Sequence, residues 1–280
     1  MAQRCRLGGA GARIFNADGG EKMKVYIIGA GPGDPDLITV KGLRLLQEAD
    51  VVLYTDSLVN EELIARAKPE AEVLLSAGMS LEEMVGIMAD RVRAGKMVAR
   101  VHTGDPSMFG AIMEQAALLK REGIGIEVVP GVSSVFASAA AIGAELTIPE
   151  LTQTVILTRV EGRTPMPERE QLRDLAKHHC TLALFLSATL TKKVVRELTE
   201  AGWSPQTPVA VVQRASWPDQ VVVRSTLERL DEDMRVNGIR KHAMILAGWA
   251  LDPHIHENDA YRSKLYDATF THGYRKGVKP

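Results

Sequence analysis

The amino-acid sequence predicts two α/β domains, the first with a mostly parallel sheet and the second with a mixed sheet. In the first half, apolar strand-like runs alternate with amphipathic helical patterns, which is typical of a parallel sheet covered on both faces. In the second half, two apolar runs flank Trp217-Pro218-Asp219, a spacing typical of an antiparallel hairpin. A chain of 280 residues suits two domains of ordinary size.

The first half contains five strand-like runs and four helical patterns, three of them between strands and one after the last strand. The strands are predicted at residues 24–28, 51–54, 73–75, 97–102 and 126–129. The helices are predicted at residues 39–48, 80–94, 107–121 and 133–142. Thr39 is a suitable N-cap, and Ser80 followed by Glu83 is a capping-box signature.

The pattern pauses at Ile148-Pro149, and we place the domain boundary there. Strands of the second half are predicted at residues 154–159, 181–186, 209–213, 220–224 and 243–247. The resulting division is an N-terminal domain of residues 23–148, a C-terminal domain of residues 149–250 and a polar tail of residues 251–280 with one short helix. Residues 1–22 are Gly-rich and without periodicity, and we interpret them as a leader or disordered arm.

Composition excludes several classes of function. A net charge of −1 argues against a nucleic-acid partner, and no apolar run approaches the ~20 residues of a membrane helix. Cys5 and Cys180 cannot form a disulfide framework, which favours a reducing, cytoplasmic location. The histidines form neither an HxxxH nor an HExxH pattern, so we expect no protein-bound metal.

The loop at residues 29–34 is similar to a dinucleotide fingerprint but departs from it. Asp34 occupies the place of the third glycine, and Pro32 and Pro35 lack the N–H groups that would bind a pyrophosphate. A carboxylate at this position suits a neutral or cationic ligand better than an anionic one.

Two more glycine-bearing loops follow strands, at residues 102–110 and 130–134. Because the carboxyl ends of parallel strands meet at one edge, the three loops could converge on one ligand. Alternatively, their glycines and prolines merely end the strands. Asp105 is either a turn residue or an acceptor for a ligand's amino or hydroxyl groups. Asp56, after the second strand, either accepts a proton or contacts substrate, or it is only a helix N-cap or turn acid.

Three arginines surround the loop at residues 161–168: Arg159, Arg163 and Arg169. Guanidinium groups pair bidentately with carboxylates, so this cluster could bind a polycarboxylate substrate. The alternative is a charged loop that only faces solvent.

Four segments together resemble the tetrapyrrole methylases, which use S-adenosylmethionine. They are GAGPGDPDLITVKGLRLLQEADVVLY, HTGDPSMFGAI, VVPGVSSVFASAAAIG and EGRTPMPE. Within the family, HTGDPSMFGAI, YTDSLVN and EGRTPMPERE resemble the branch that methylates C-11 of precorrin-4 in the cobalamin pathway, in its cobalt-dependent form. The resemblance implies a homodimer of two α/β domains with a cleft between them, and a small-molecule tetrapyrrole as the substrate.

The resemblance also implies roles for particular residues. Cofactor contacts would fall on Pro32, Thr103, Gly104, Asp105, Met108, Ser133, Ser134, Leu186 and Ala215. Relatives often carry Met and Gly at the last two positions. Asp56 aligns with a suggested proton acceptor of related enzymes, whose downstream lysine has no counterpart near Ser76. From the arginine cluster itself, rather than from the resemblance, we take Arg159 and Arg163 as candidate substrate-binding residues.

Other functions compete with this one. A nicotinamide-dependent dehydrogenase would need the third fingerprint glycine, which Asp34 replaces. A methylase acting on RNA or protein would share the fold, but the chain has no basic stripe for RNA. A family member acting on another tetrapyrrole carbon, or a ligand-binding module without catalysis, would share the loops.

Overall fold

The computed structural model describes residues 23–55, 58–257 and 261–278, apart from the side chain of His256. The predicted leader, residues 1–22, lies outside the described residues. The described chain divides into two compact units. The N-terminal unit holds residues 23–31 and 35–131, and the C-terminal unit holds Pro32–Asp34 and the described residues from Val132 onward.

A five-stranded parallel sheet forms the centre of the N-terminal unit. Its strands are β1 (Lys24–Gly29), β2 (Val51–Tyr54), β3 (Glu72–Leu75), β4 (Val98–His102) and β5 (Gly125–Val129). The strand order is β3-β2-β4-β1-β5, and every pairing is parallel. The carboxyl ends of β4, β1 and β5 therefore lie side by side.

Helices cover both faces of this sheet, as the alternating pattern predicted. They are α1 (Val40–Glu48), α2 (Glu61–Ile64), α3 (Leu81–Arg93) and α4 (Ile112–Arg121). Ile28 of β1 belongs to a core with Leu46 of α1, whereas Ile27 faces the opposite core with Met88 of α3. Alternate residues of one strand thus bury against different helices, because successive side chains of a strand point to opposite faces.

Two predicted helix starts are confirmed, and one is wrong. The Thr39 hydroxyl accepts from the Gly42 amide, and Ser80 and Glu83 form the complete capping box. Helix α4, predicted from residue 107, begins at Ile112. The backbone cannot be helical before this point because Phe109 and Ala111 have φ angles of 56° and 49°.

A mixed sheet forms the centre of the C-terminal unit. Its strands are β6 (Val155–Arg159), β7 (Thr181–Phe185), β8 (Pro208–Gln213), β9 (Val221–Thr226) and β10 (Ala243–Ala247). The order is β6-β7-β10-β8-β9. Strands β6 and β7 are parallel and the other pairs are antiparallel, so the predicted mixed sheet and β8–β9 hairpin are confirmed.

The helices of this unit are α5 (Ser134–Ala141), α6 (Leu172–Ala176), α7 (Thr191–Glu200) and α8 (Leu230–Val236). Val135 of α5 packs in one core with Met244 and Leu246 of β10. The contacts therefore place α5 in the C-terminal unit and divide the chain after Gly131, whereas the sequence predicted a boundary after residue 148. The pause at Ile148 reflects a local turn, in which Ile148 bridges to Thr152.

The described part of the tail contains 3-10 turns rather than the one short helix predicted. They cover Ile255–Glu257 and Lys264–Tyr266, after a turn at Trp249–Leu251 that leads into the tail. Lys264 contacts Glu150 at 3.3 Å, which ties the tail to the same unit. Among the described helices, none is both long and apolar enough to cross a bilayer.

Strand β4 buries two basic side chains on one face. Arg100 is 3% exposed and His102 is 8% exposed. Arg100 donates to the Leu53 carbonyl oxygen at 3.3 Å, and within the described ranges it has no salt bridge. Burial lowers the pKa of Arg100 to about 10. Burial, together with the Arg100 charge, lowers the pKa of His102 to about 3.

We expect the His102 imidazole to stay neutral between about pH 8 and pH 5, well above its depressed pKa. His254, whose pKa is raised by its hydrogen bond to Glu257, is an internal reference that should gain its proton within this range. NMR of the histidine ring resonances against pH measures both groups. Because an unfolded histidine titrates near about 6.5, the His102 contribution to stability should be lost as the pH falls below that value. A folded-state His102 titration near that value would contradict the assignment.

Candidate functional site

Backbone atoms of three loops meet at the carboxyl edge of the N-terminal sheet. A Cβ placed on Gly29 would lie 2.6 Å from Gly131 Cα and 2.7 Å from the Gly104 carbonyl oxygen. A Cβ on Gly131 would lie 2.1 Å from the same oxygen. Gly31 and Gly104 also bond to each other, with the Gly104 amide donating to the Gly31 carbonyl at 2.9 Å. The three loops therefore meet at this edge, and their convergence on one ligand stays a prediction.

The carboxylate of Asp105 ties the second loop to the third. Its Oδ2 accepts from the Gly131 amide at 2.9 Å, and its Oδ1 accepts from the Ser107 amide at 2.9 Å and from the Ser107 hydroxyl. Burial alone would raise the pKa of Asp105, but these hydrogen bonds outweigh it and hold the pKa below its ordinary value. Asp105 is therefore an ionised turn residue, and the role of ligand acceptor stays a prediction.

The other cofactor-binding residues predicted in the N-terminal unit lie in the second loop, at residues 102–110. Thr103 and Met108 are half-buried, and Gly104 is buried with a φ of 61°, a conformation that favours glycine. These residues share the segment between β4 and α4, which opens directly after the neutral His102 side chain. Asp56, the predicted proton acceptor, lies outside the described residues.

In the C-terminal unit, strands β6, β7 and β8 run in the same direction, because β10 is antiparallel to both β7 and β8. Leu186 follows β7 and Ala215 follows β8, so both lie at one edge of this sheet. Leu186 is 70% exposed, whereas Ala215 is buried. Arg214 and Ser216, on either side of Ala215, have φ angles of 49° and 68°. These left-handed conformations mark a tightly formed turn at a predicted site residue.

Two predicted serines lie at the start of α5. The buried Ser133 is the N-cap, and its hydroxyl accepts from the Val135 amide at 3.4 Å. Ser134 is the first helical residue. The hydroxyl of Ser133 therefore has a structural role in addition to the predicted cofactor contact.

The structure separates the roles of the arginines around residues 161–168. The Arg159 guanidinium donates to the Thr164 and Pro165 carbonyl oxygens at 3.2 and 2.8 Å, so it braces the loop. Glu161 stabilises the same loop by accepting from the Met166 amide at 3.0 Å. Arg163 is exposed on the loop that Arg159 holds.

Sequence reasoning missed a contact to the first glycine loop. The Trp217 indole N–H donates to the Pro32 carbonyl oxygen at 3.0 Å, and the Asp34 amide donates to the Ser216 hydroxyl at 3.0 Å. All four residues belong to the C-terminal unit. The WPD motif predicted only a turn, and no local signal could pair segments that lie more than 180 positions apart in the chain.

This chain is similar to known proteins in both sequence and fold. A family model for Tetrapyrrole (Corrin/Porphyrin) Methylases matches residues 24–231. The chain is 75% identical over 257 residues to a cobalt-precorrin-4 C(11)-methyltransferase of Priestia megaterium, an alignment covering 92% of this chain and 99% of that relative.

Two solved structures extend the comparison. A cobalamin biosynthetic enzyme, cobalt precorrin-4 methyltransferase, matches with a TM-score of 0.82 and 71% identity, covering 88% of this chain and 100% of that chain. A uroporphyrin-III C-methyltransferase from Thermus thermophilus, complexed with S-adenyl homocysteine, matches with a TM-score of 0.69 and 35% identity, covering 82% and 93%. The family resemblance of the loop motifs is thereby confirmed, and this chain belongs to the tetrapyrrole methylase family.

Proposed function

We propose that this chain is an S-adenosylmethionine-dependent methyltransferase that transfers a methyl group to C-11 of cobalt-precorrin-4 in the cobalamin pathway. The observation that carries the proposal is the 75% identity to a relative with this activity in its name, over 99% of that relative. The related uroporphyrin methyltransferase complexed with S-adenyl homocysteine supports the choice of cofactor. A homodimer and a cytoplasmic location stay predictions of this proposal.

In the N-terminal unit we assign cofactor contacts to Thr103, Gly104, Asp105 and Met108. This assignment is supported by the contacts among Gly29, Gly104 and Gly131. Because glycine has no side chain, a ligand could approach the backbone of these loops closely. The ionised Asp105 also favours a cationic ligand, and S-adenosylmethionine carries positive charge on its sulfonium and amino groups. The loop at Asp34 lacks the donor pattern that a pyrophosphate requires.

In the C-terminal unit we assign further cofactor contacts to a second set of residues. They are Pro32, Ser133, Ser134, Leu186 and Ala215. Leu186 and Ala215 lie at the same edge of the mixed sheet, where the backbone is tightly turned. Covering an exposed apolar side chain such as Leu186 with a ligand is favourable, because the apolar surface is removed from water.

When bound, S-adenosylmethionine supplies a methyl group that is already electrophilic. The task of the protein is then to align the accepting carbon and to exclude water, and alignment alone can lower a barrier by about 7–11 kcal/mol in favourable cases. We assign Asp56 as the group that accepts a proton. Arg163 is assigned to a substrate carboxylate, because Arg159 already braces the loop that presents it.

A second candidate is methylation of another tetrapyrrole carbon, which the 35% identity to the uroporphyrin enzyme favours. The deciding experiment incubates the protein with cobalt-precorrin-4 and methyl-labelled S-adenosylmethionine. Mass spectrometry should show one added methyl group, and carbon NMR should place the label at C-11. A label at another carbon would select the second candidate, and an unmodified macrocycle with bound cofactor would indicate a binding module.

Gly131→Ala should weaken cofactor binding without unfolding the chain. The added Cβ would meet the Gly104 carbonyl oxygen at 2.1 Å, so the second and third loops must move apart. We expect the Kd for S-adenosylhomocysteine, measured by calorimetry, to rise by at least about tenfold. Gly86→Ala in α3 is the matched control, because its Cβ meets nothing within 4 Å. Unchanged affinity in Gly131→Ala would refute the loop assignment.

Asp105→Asn tests the carboxylate that joins the same loops. The amide keeps one acceptor but turns an NH2 donor toward the amide of either Gly131 or Ser107, so one hydrogen bond is lost. An unmatched buried donor typically costs about 1–3 kcal/mol, and because these groups are only partly buried we expect the low end of that range, a fall in cofactor affinity of roughly tenfold. Asp90→Asn, an exposed charge on α3, should leave affinity unchanged. Equal affinities of the two variants would show that the carboxylate is not needed.

A further inference from the structure

The loop between β8 and β9 holds the segment Pro32–Asp34 at two points. The Trp217 indole N–H donates to the Pro32 carbonyl oxygen, and the Ser216 hydroxyl accepts from the Asp34 amide, both at 3.0 Å. Between these bonds, a Cβ on Gly33 would lie 2.1 Å from the Trp217 ring. The indole therefore lies directly against the peptide backbone, and only glycine fits at position 33.

The β8–β9 loop is itself held in shape before it meets this segment. The Arg214 guanidinium stacks on the Trp217 ring at 3.9 Å and pairs with Asp219 at 2.7 Å. The Ser216 amide donates to the Gln220 side chain at 2.7 Å. The Arg214 amide donates to the His242 carbonyl oxygen at 2.8 Å, which anchors the loop beside the start of β10. Trp217 is thus held by contacts within the loop as well as by its contact with Gly33.

These contacts involve or adjoin two residues, Pro32 and Ala215, that the proposed function assigns to cofactor binding. Pro32 accepts the bond from Trp217, and Ala215 lies in the same turn as Ser216. Neither Ser216 nor Trp217 is needed for the hydrophobic cores of the C-terminal unit, whose buried residues are elsewhere. Their contacts act instead on the conformation of one short peptide segment.

We propose that Ser216 and Trp217 are positioning residues, which hold Pro32–Asp34 in the conformation that binds the cofactor. The inference rests on the proposed function, since it requires Pro32 and Ala215 to contact S-adenosylmethionine. It extends that function to two side chains that do not themselves react. Trp217 acts through its N–H and its ring face, and Ser216 acts through its hydroxyl oxygen.

Trp217→Phe tests the indole N–H, because phenylalanine keeps an aromatic ring but donates no hydrogen bond. We expect the Kd for S-adenosylhomocysteine, measured by calorimetry on the full chain, to rise by about tenfold. Trp249→Phe is the matched control, because it makes the same chemical change at a half-exposed position just before the tail. The control should bind with the affinity of the unmodified chain.

Tryptophan fluorescence adds a readout that a loss of stability would not produce. S-adenosylhomocysteine bound against Pro32 should change the emission of Trp217. The change should persist in Trp249→Phe and disappear in Trp217→Phe. A full change in emission in Trp217→Phe would overturn the placement of Trp217 beside the ligand.

The outcomes separate the inference from the proposed function. If the unmodified chain binds no S-adenosylhomocysteine, the proposed function fails. If the unmodified chain binds and Trp217→Phe binds equally well, the positioning role fails while the function stands. If Trp217→Phe does not fold, Ser216→Ala decides the question, since it removes only the acceptor for the Asp34 amide. A several-fold loss of affinity in Ser216→Ala supports the role, and unchanged affinity overturns it.

Discussion

The contact among Gly29, Gly104 and Gly131 is the constraint on which the candidate site depends. A side chain at Gly29 or Gly131 would occupy space already filled by backbone atoms of the other loops. The three loops follow neighbouring parallel strands, and their backbones can touch only because side chains are absent. The hydrogen bonds of Asp105 then fix the spacing between the second and third loops. The result is a surface made of backbone, with one ionised carboxylate inside it.

In the N-terminal unit, burial and hydrogen bonding set the charge states of the ionisable groups in and just before the second glycine loop. Arg100 and His102 are buried on one face of β4, and the neutral state of His102 removes a second positive charge beside the arginine. Asp105, only a few residues along the chain, stays ionised because three hydrogen bonds stabilise its carboxylate. Under the proposed function, a cationic ligand such as S-adenosylmethionine would meet this acid in the loop, whereas Arg100 and His102 are buried.

In the C-terminal unit, the predicted cofactor-binding residues Leu186 and Ala215 lie in tightly formed turns, whereas those of the N-terminal unit lie in a loop where glycine backbones meet. Leu186 and the residues on both sides of Ala215 adopt left-handed backbone conformations, which are costly for residues other than glycine. The turn around Ala215 also supplies Ser216 and Trp217 to the segment Pro32–Asp34. Hydrogen bonds of Arg214 and Ser216 hold the turn at Ala215 in this conformation. Strain that is retained in this way is common at ligand sites.

The sequence by itself determined the strand periodicity, the alternation of strands and helices, the caps at Thr39 and Ser80, and the loop motifs of the family. These features follow from local preferences of a few adjacent residues, so they can be read without coordinates. Only the tertiary structure decided that α5 packs with the C-terminal sheet, that α4 starts at Ile112, and that Trp217 bonds to Pro32. Each of these depends on atoms that are distant in sequence or on backbone angles that local propensity does not specify.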